Sequence, residues 1–332
     1  MKITWLGPRF FGPDLPALGH DLRILDVPRG EVWGWAELCA ASGWQPDAVV
    51  VADRSEPPFV IGQEAFPCLT VFYAVDTHIH SWYPYYAQGF DLVLVSLRDD
   101  LDLFRGKELD EARVIWCPPC MIYPCSPTET ASLPGKEWGL LFVGKVDTNL
   151  NPERADFLRR LGGLFPALHV CSGNFQELFP KGRLLLNHSI SGDLNFRVFE
   201  ALGCGGCLLT PCIAQGQDEI FRDGEDFFLY DPGDLPGLAA LAARLLKDPA
   251  LCARVAASGH AKVTSRHLGR HRASMLSRAL GQCDAAALVA QRLERKNAIR
   301  KNYLKFIYLL LAESVESPAR RKAYLAAAVK ND

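Results

Sequence analysis

Strong charge of either sign is missing from this sequence. Over 332 residues the formal net charge is −2, which gives no global pull toward nucleic acid or an anionic membrane. Long hydrophobic runs are missing too. The longest near the end, FIYLLLA at 306–312, falls far short of the roughly 20 apolar residues a membrane-spanning helix needs. The first residues, MKITWLGPRFFGPD, carry one lysine and a short apolar stretch broken by Gly and Pro, so they do not read as a secretory signal. No short tandem repeat is evident. These absences lead to the expectation of a soluble, cytoplasmic protein with no nucleic-acid partner and no membrane span. Cysteine is not scarce. There are eleven, an odd number, in a chain too large to need covalent staples, which points to free thiols rather than a disulfide framework.

Apolar residues make up 49% of the chain, enough for two buried cores. Short continuous apolar runs read as strands buried on both faces: 2–7, 21–27, 47–53, 68–76, 91–96 and 112–118, with a helical candidate at 31–42. The stretch 123–137, YPCSPTETASLPGKE, has no periodicity and is rich in Pro, Ser and Thr. It reads as an interdomain connection. The alternation then restarts with runs at 138–145, 168–173, 183–189, 207–212 and 226–231, with helices from Asn151 and Asn195 and across 235–249. Strand–helix alternation argues for parallel α/β sheets. The expected division is a first domain over 1–125, a linker over 126–137, a second domain over 138–282, and a helical tail over 283–332 that packs back across the domains.

In the second half, the run LLFVGK ends on Gly144 and Lys145, and the helix that follows carries Arg154. A glycine at a strand end, a cation beside it and a helix N-terminus beyond make a candidate anion cradle. The stretch NFRVFEALGCGG at 195–206 sits in the equivalent place after another strand. ISGDLN can supply an N-cap from Asp193 or Asn195. Arg197 falls in the first helical turn, where the helix dipole disfavours a cation, so it needs an anionic partner. A phosphate is one candidate. Glu200, three residues on, shares its face, and a carboxylate can accept both hydrogen bonds of a vicinal diol such as a ribose. The competing explanation is a weak surface ion pair between Arg197 and Glu200. The glycines at 203, 205 and 206 allow a tight turn and close helix–strand packing.

From Gly144 to about Arg272 the chain resembles the C-terminal half of CgeB-like glycosyltransferases, in the glycosyl transferases group 1 superfamily of the GT-B fold. The residues carrying the resemblance are FVGK, Arg154, LLLNHSISGDLNFRVFEALGCGGCLLTP, DEIFRDGEDFFLYDPGDL, ARVAASGHAKV and RHLGRHR. VFYAVDTHIH and FDLVLVS extend it more loosely into the first half. The resemblance implies two Rossmann-like doubly wound domains facing a cleft. It also implies a nucleotide diphosphate near Gly144, Lys145, Arg154 and Arg197, and a donor-binding glutamate at Glu200. Eight residues before Glu200, where the family has a second acid, this sequence has Gly192; the nearest acid is Asp193.

In the first half, YAVDTHIHSWYPYY at 73–86 gathers an Asp, two His, a Trp and four Tyr after a buried strand. Rings and polar groups together suit a sugar, and Asp76 and His78 are the candidate catalytic groups there, facing the acceptor hydroxyl or the transferred sugar. The alternative is that Asp76 caps the following helix and the rings are core. CPPCMIYPC at 117–125 and CGGCLLTPC at 204–212 each read C-x2-C-x4-C, a spacing used by zinc and redox sites. The tail from 291 to 332 holds ten Lys/Arg against four Asp/Glu, a solvated basic face or one that meets an acidic partner or a membrane surface. The expected function is hexosyl transfer from a UDP-, GDP- or dTDP-sugar to a protein or glycan acceptor, with no metal or other cofactor. The alternatives are a non-catalytic GT-B scaffold and a metal or redox protein built on the C-x-x-C pairs.

Overall fold

The computed structural model describes residues 1–125, 136–189 and 191–329. The connection expected at 126–137 lies largely outside the described residues. The chain divides into two compact units, one formed by Met1–Pro118 with Arg272–Asp332 and the other by Pro119–His271. The second unit is thus inserted into the sequence of the first.

The first unit holds β1 (Lys2–Leu6), β2 (Asp21–Leu25), β3 (Ala48–Ala52), β4 (Leu69–Ala74), β5 (Leu92–Val95) and β6 (Val114–Trp116). The sheet order is β2-β1-β3-β4-β5-β6, with every pair parallel. The apolar runs are continuous because both faces are covered. Side chains alternate across the sheet: Val49, Val51, Phe72 and Val93 pack with Ile299, Ile307 and Leu311 of the tail, whereas Ile3, Val50, Val71 and Leu94 pack with Ala273, Leu276 and Leu280. This second set corrects the expected boundary at 282. The apolar face of the helix Gly269–Gln282 lies on the first sheet, so the chain rejoins that unit at Arg272.

The tail is helical, over Ala285–Ile299, Lys305–Ser314 and Pro318–Val329. It belongs to the first unit. Its basic residues are not a uniformly solvated face. Arg292 is buried and donates to Asp91 Oδ1 (2.8 Å) and to the carbonyls of Gln63, Phe66 and Cys68. Arg295 pairs with Glu108, Arg300 with Glu64 and Arg320 with Glu56. The arginines find their acids inside the unit. No helix among the described residues is long and apolar enough to cross a membrane.

The second unit holds β7 (Trp138–Val143), β8 (Leu168–Cys171), β9 (Gly182–Leu186), β10 (Leu208–Pro211) and β11 (Phe228–Tyr230), ordered β11-β10-β9-β7-β8 and parallel throughout. Both sheets share one winding: the first strand lies between the second and the third. In such sheets ligands bind outside the carboxyl ends of the strands where the winding reverses, which here means the ends of β7 and β9, and of β1 and β3.

The cysteine expectation needs correcting. Cys125 and Cys204 form a disulfide, with Cα atoms 5.4 Å apart. The third cysteine of one motif thus pairs with the first of the other, because Met121 packs beside the helix end at Gly203 and brings its segment alongside.

Candidate functional site

At the end of β7, Gly144 lies directly under Arg197, whose Nη2 would be 2.6 Å from a Cβ at that position. Arg197 comes from the first turn of the helix Phe196–Gly203. Its Nε donates to Val143 O (2.9 Å) and its Nη1 to Asn187 Oδ1 (3.0 Å). The guanidinium lies 4.8 Å from the Phe142 ring centre, and that of Arg154 lies 5.8 Å from the same ring. Burial, with Arg154 as a like-charged neighbour, pulls Arg197 down to about 10. Two cations thus lie against one aromatic ring at the winding reversal. Arg154 Nη1 donates to Lys145 O (3.3 Å), while its buried Nε has no hydrogen-bond partner among the described residues. Arg197 Nη2 likewise donates to no described residue.

Glu200 stands one helical turn beyond Arg197. Its carboxylate makes no hydrogen bond or ion pair with Arg197 or any other described residue, so the surface ion pair is not what holds it. Burial pushes its carboxyl up to about 7 against the pull of Arg197. The close packing that the glycines suggested is present at Gly206, where a Cβ would sit 2.2 Å from Leu185 on β9. That contact fixes the distance of the helix from the sheet.

The remaining predicted residues are placed as follows. Lys145 is exposed, 3.6 Å from Asp147, which is itself held by the amides of Asn149 and Leu150. Asp193 accepts from Ser189 Oγ (2.6 Å). Asn195 is the N-cap by backbone, but its side chain makes no capping bond and its buried Oδ1 has no partner among the described residues. The expected side-chain cap, from either Asp193 or Asn195, is therefore absent. Sequence reasoning missed Phe142 and His188. His188 is buried at the end of β9, against the Phe157 ring at 4.2 Å. Burial and the two arginines hold it down at about 4, and its Nδ1 has no partner. Its place at a strand end beside the winding reversal was the available signal.

In the first unit Asp76 and His78 lie in the loop after β4. Asp76 is half-buried, and its carboxyl is raised by burial and by the neighbouring Asp53. His78 is half-buried with Nδ1 unpartnered. Asp76 does not cap the helix Tyr83–Ala87, whose N-cap is Trp82; its carbonyl instead closes a turn with the amides of Ile79 and His80. Three of the four tyrosines, Tyr73, Tyr83 and Tyr86, are core residues. Of this cluster Tyr85 is exposed and Trp82 half-buried, so these are the rings left to meet a ligand.

Over 85% of its length the chain is similar to solved structures of one architecture. The Anabaena protein HepE in complex with UDP and glucose matches with a TM-score of 0.59 and 12% identity, over 85% of this chain and 100% of that one. Sucrose-phosphate synthase from Thermosynechococcus elongatus matches at 0.57 and 13%, over 85% and 98%. A glycosyltransferase from Rickettsia africae matches at 0.58 and 10%, over 85% and 99%. The fold is GT-B. Within this GT-B chain, residues 164–278 match the family described as glycosyl transferase-like. None of the curated proteins matches it in sequence. The expected Rossmann-like domains and helical C-terminal region are those observed. Among the described residues, no group of three or more His, Cys, Asp or Glu is placed to hold a metal.

Proposed function

We propose that this chain is a glycosyltransferase of the CgeB-like kind, moving a hexose from a nucleoside diphosphate to a hydroxyl of a protein or glycan, in the cytoplasm. The observation that carries the reading is the pair Arg154 and Arg197. Two guanidiniums over one ring, with donors left uncommitted, form an anion site, and a diphosphate supplies two adjacent anionic groups. Arg197, Arg154, Lys145 and the amides at the start of the helix Phe196–Gly203 hold the diphosphate and stabilise the charge that develops on it as the sugar leaves. These cations take the role a metal ion plays elsewhere, so none is required. The Glu200 carboxylate, which has no hydrogen-bond partner among the described residues, accepts from the ribose diol. Asp193 and Asn195 stand where the transferred sugar or its phosphate lies. Asp76 accepts the proton of the attacking hydroxyl, with His78 beside it. UDP is the first nucleotide to test, because HepE is also described in complex with UDP-glucose; GDP and dTDP follow.

A second reading, a GT-B protein that binds nucleotide without transferring sugar, draws on Gly192. Its φ is 71°, a left-handed backbone that disfavours an acid there, and Asp193 is already engaged by Ser189. Calorimetry with UDP and with inorganic pyrophosphate, alongside a sugar-release assay on UDP-hexoses, tests both. Binding with release supports transfer and binding without release supports the second reading. No binding of either ligand removes the donor site.

A further inference from the structure

Asp53, at the end of β3, had no role in the sequence reading. It is 4% exposed, and its carboxylate accepts four hydrogen bonds around the loop that carries Asp76. Its Oδ2 accepts from the amides of Val75 (3.0 Å) and Asp76 (2.8 Å). Its Oδ1 accepts from the amide of Ser55 (2.7 Å) and from the Tyr83 hydroxyl. One carboxylate therefore binds the chain just before the Asp76 turn, just after it through Tyr83, and on its own strand end. Ser55 is held with φ at 55°, a strained value for a serine, and its hydroxyl lies 3.1 Å from His80 Nε2. His80 in turn stacks on Tyr83, ring centres 5.0 Å apart.

We propose that Asp53 is the positioning residue of this loop: it holds the chain at Asp76 through the Val75 and Asp76 amides and so keeps a second acidic group beside Asp76. An apolar residue would leave three backbone amides without acceptors, which a buried site does not tolerate. An asparagine supplies one acceptor oxygen where two are in use. Asp76 is faced by Asp53 from the strand end, by Ser55 and its hydroxyl, by His78 and His80 within its loop, and by Tyr83 from the following helix. Burial and Asp53 raise its proton affinity, while Ser55 and the two histidines oppose them. The net effect is a carboxyl better able to take a proton from an acceptor hydroxyl than a solvated aspartate. The inference rests on the reading of Asp76 as a group at the reaction.

The experiment is a carbon-13 NMR titration of the Asp76 carboxyl in the parent, Asp53→Asn and Tyr83→Phe proteins, with Asp76→Asn to identify the signal, beside the pH–rate profile of sugar release. Removing a neighbouring negative charge lowers a carboxyl's midpoint. Asp53→Asn is therefore expected to move the Asp76 midpoint down, and to move the acidic limb of the rate profile down with it. Tyr83→Phe keeps the charge and removes one bond, so its midpoint is not expected to fall. A midpoint unmoved in Asp53→Asn overturns the inference whatever the rates do. A midpoint that falls while the rate profile stays in place supports Asp53 and removes Asp76 from the reaction. Should Asp53→Asn fail to fold, hydrogen exchange in the parent decides: the Val75 and Asp76 amides are expected to be protected at least tenfold beyond a solvated loop amide, and free exchange there overturns the inference.

Discussion

Gly144 and Arg197 occupy one another's space: the glycine's missing Cβ is what lets the guanidinium lie across the end of β7, 2.6 Å from where that atom would be. Gly144→Ala is therefore a substitution aimed at Arg197. The arginine is tied by Val143 and Asn187, so it cannot yield without breaking a bond. UDP affinity is expected to fall by about 1–3 kcal/mol, the size of one charge-assisted hydrogen bond, with the fold retained. Calorimetry checks it. Unchanged affinity in the folded variant would take Arg197 out of the diphosphate site.

Glu200 carries opposite consequences for stability and binding. Its carboxyl, raised to about 7, holds its proton more tightly folded than unfolded, where a glutamate titrates near about 4.3. Folding is therefore least hindered below about pH 4.3. The cost grows as pH rises toward 7 and is complete above it, at most about 4 kcal/mol. Glu200→Gln removes that cost. The variant is expected to melt higher than the parent at pH 8 and near the parent's temperature at pH 4. The same variant should bind UDP about 1.5–3 kcal/mol more weakly and pyrophosphate as before. Thermal unfolding at two pH values and calorimetry with two ligands check it. A variant that loses both ligands equally would return Glu200 to orienting Arg197.

Arg292 and Asp91 form an ion pair with side chains 2% and 0% exposed. Arg292→Ala leaves Asp91 charged, buried and short of a partner, although Thr70 still donates to it. A loss of about 3–5 kcal/mol is expected in chemical denaturation. Arg292→Lys recovers little, because an ammonium cannot span one carboxylate and three carbonyls. A loss below 1 kcal/mol would show that the tail is not part of the first unit's stability.

These residues also mark where the sequence was legible. Val49 to Val51 and Leu184 to Leu186 announce buried strands by composition alone, because burial on both faces imposes an unbroken apolar run. Arg197 and Glu200 were legible as a spacing on a helix. Asp53 was not: a single acid after a strand resembles any loop start, and its four donors come from Ser55, Val75, Asp76 and Tyr83. Arg292 read as one more charge on a basic helix because its acid lies 201 residues earlier. The disulfide was not legible either: an odd cysteine count in a large chain argued for free thiols, and Cys125 and Cys204 are 79 residues apart.

The Cys125–Cys204 bond gives the polypeptide a second covalent route around everything between those two residues. A protease that nicks the backbone anywhere from 126 to 203 does not release two pieces. One fragment keeps Cys125, the other keeps Cys204, and they migrate as a single species on a gel until a thiol reductant is added. Covalent continuity between Met1 and Asp332 across this stretch is therefore doubled under oxidising conditions and single under reducing ones.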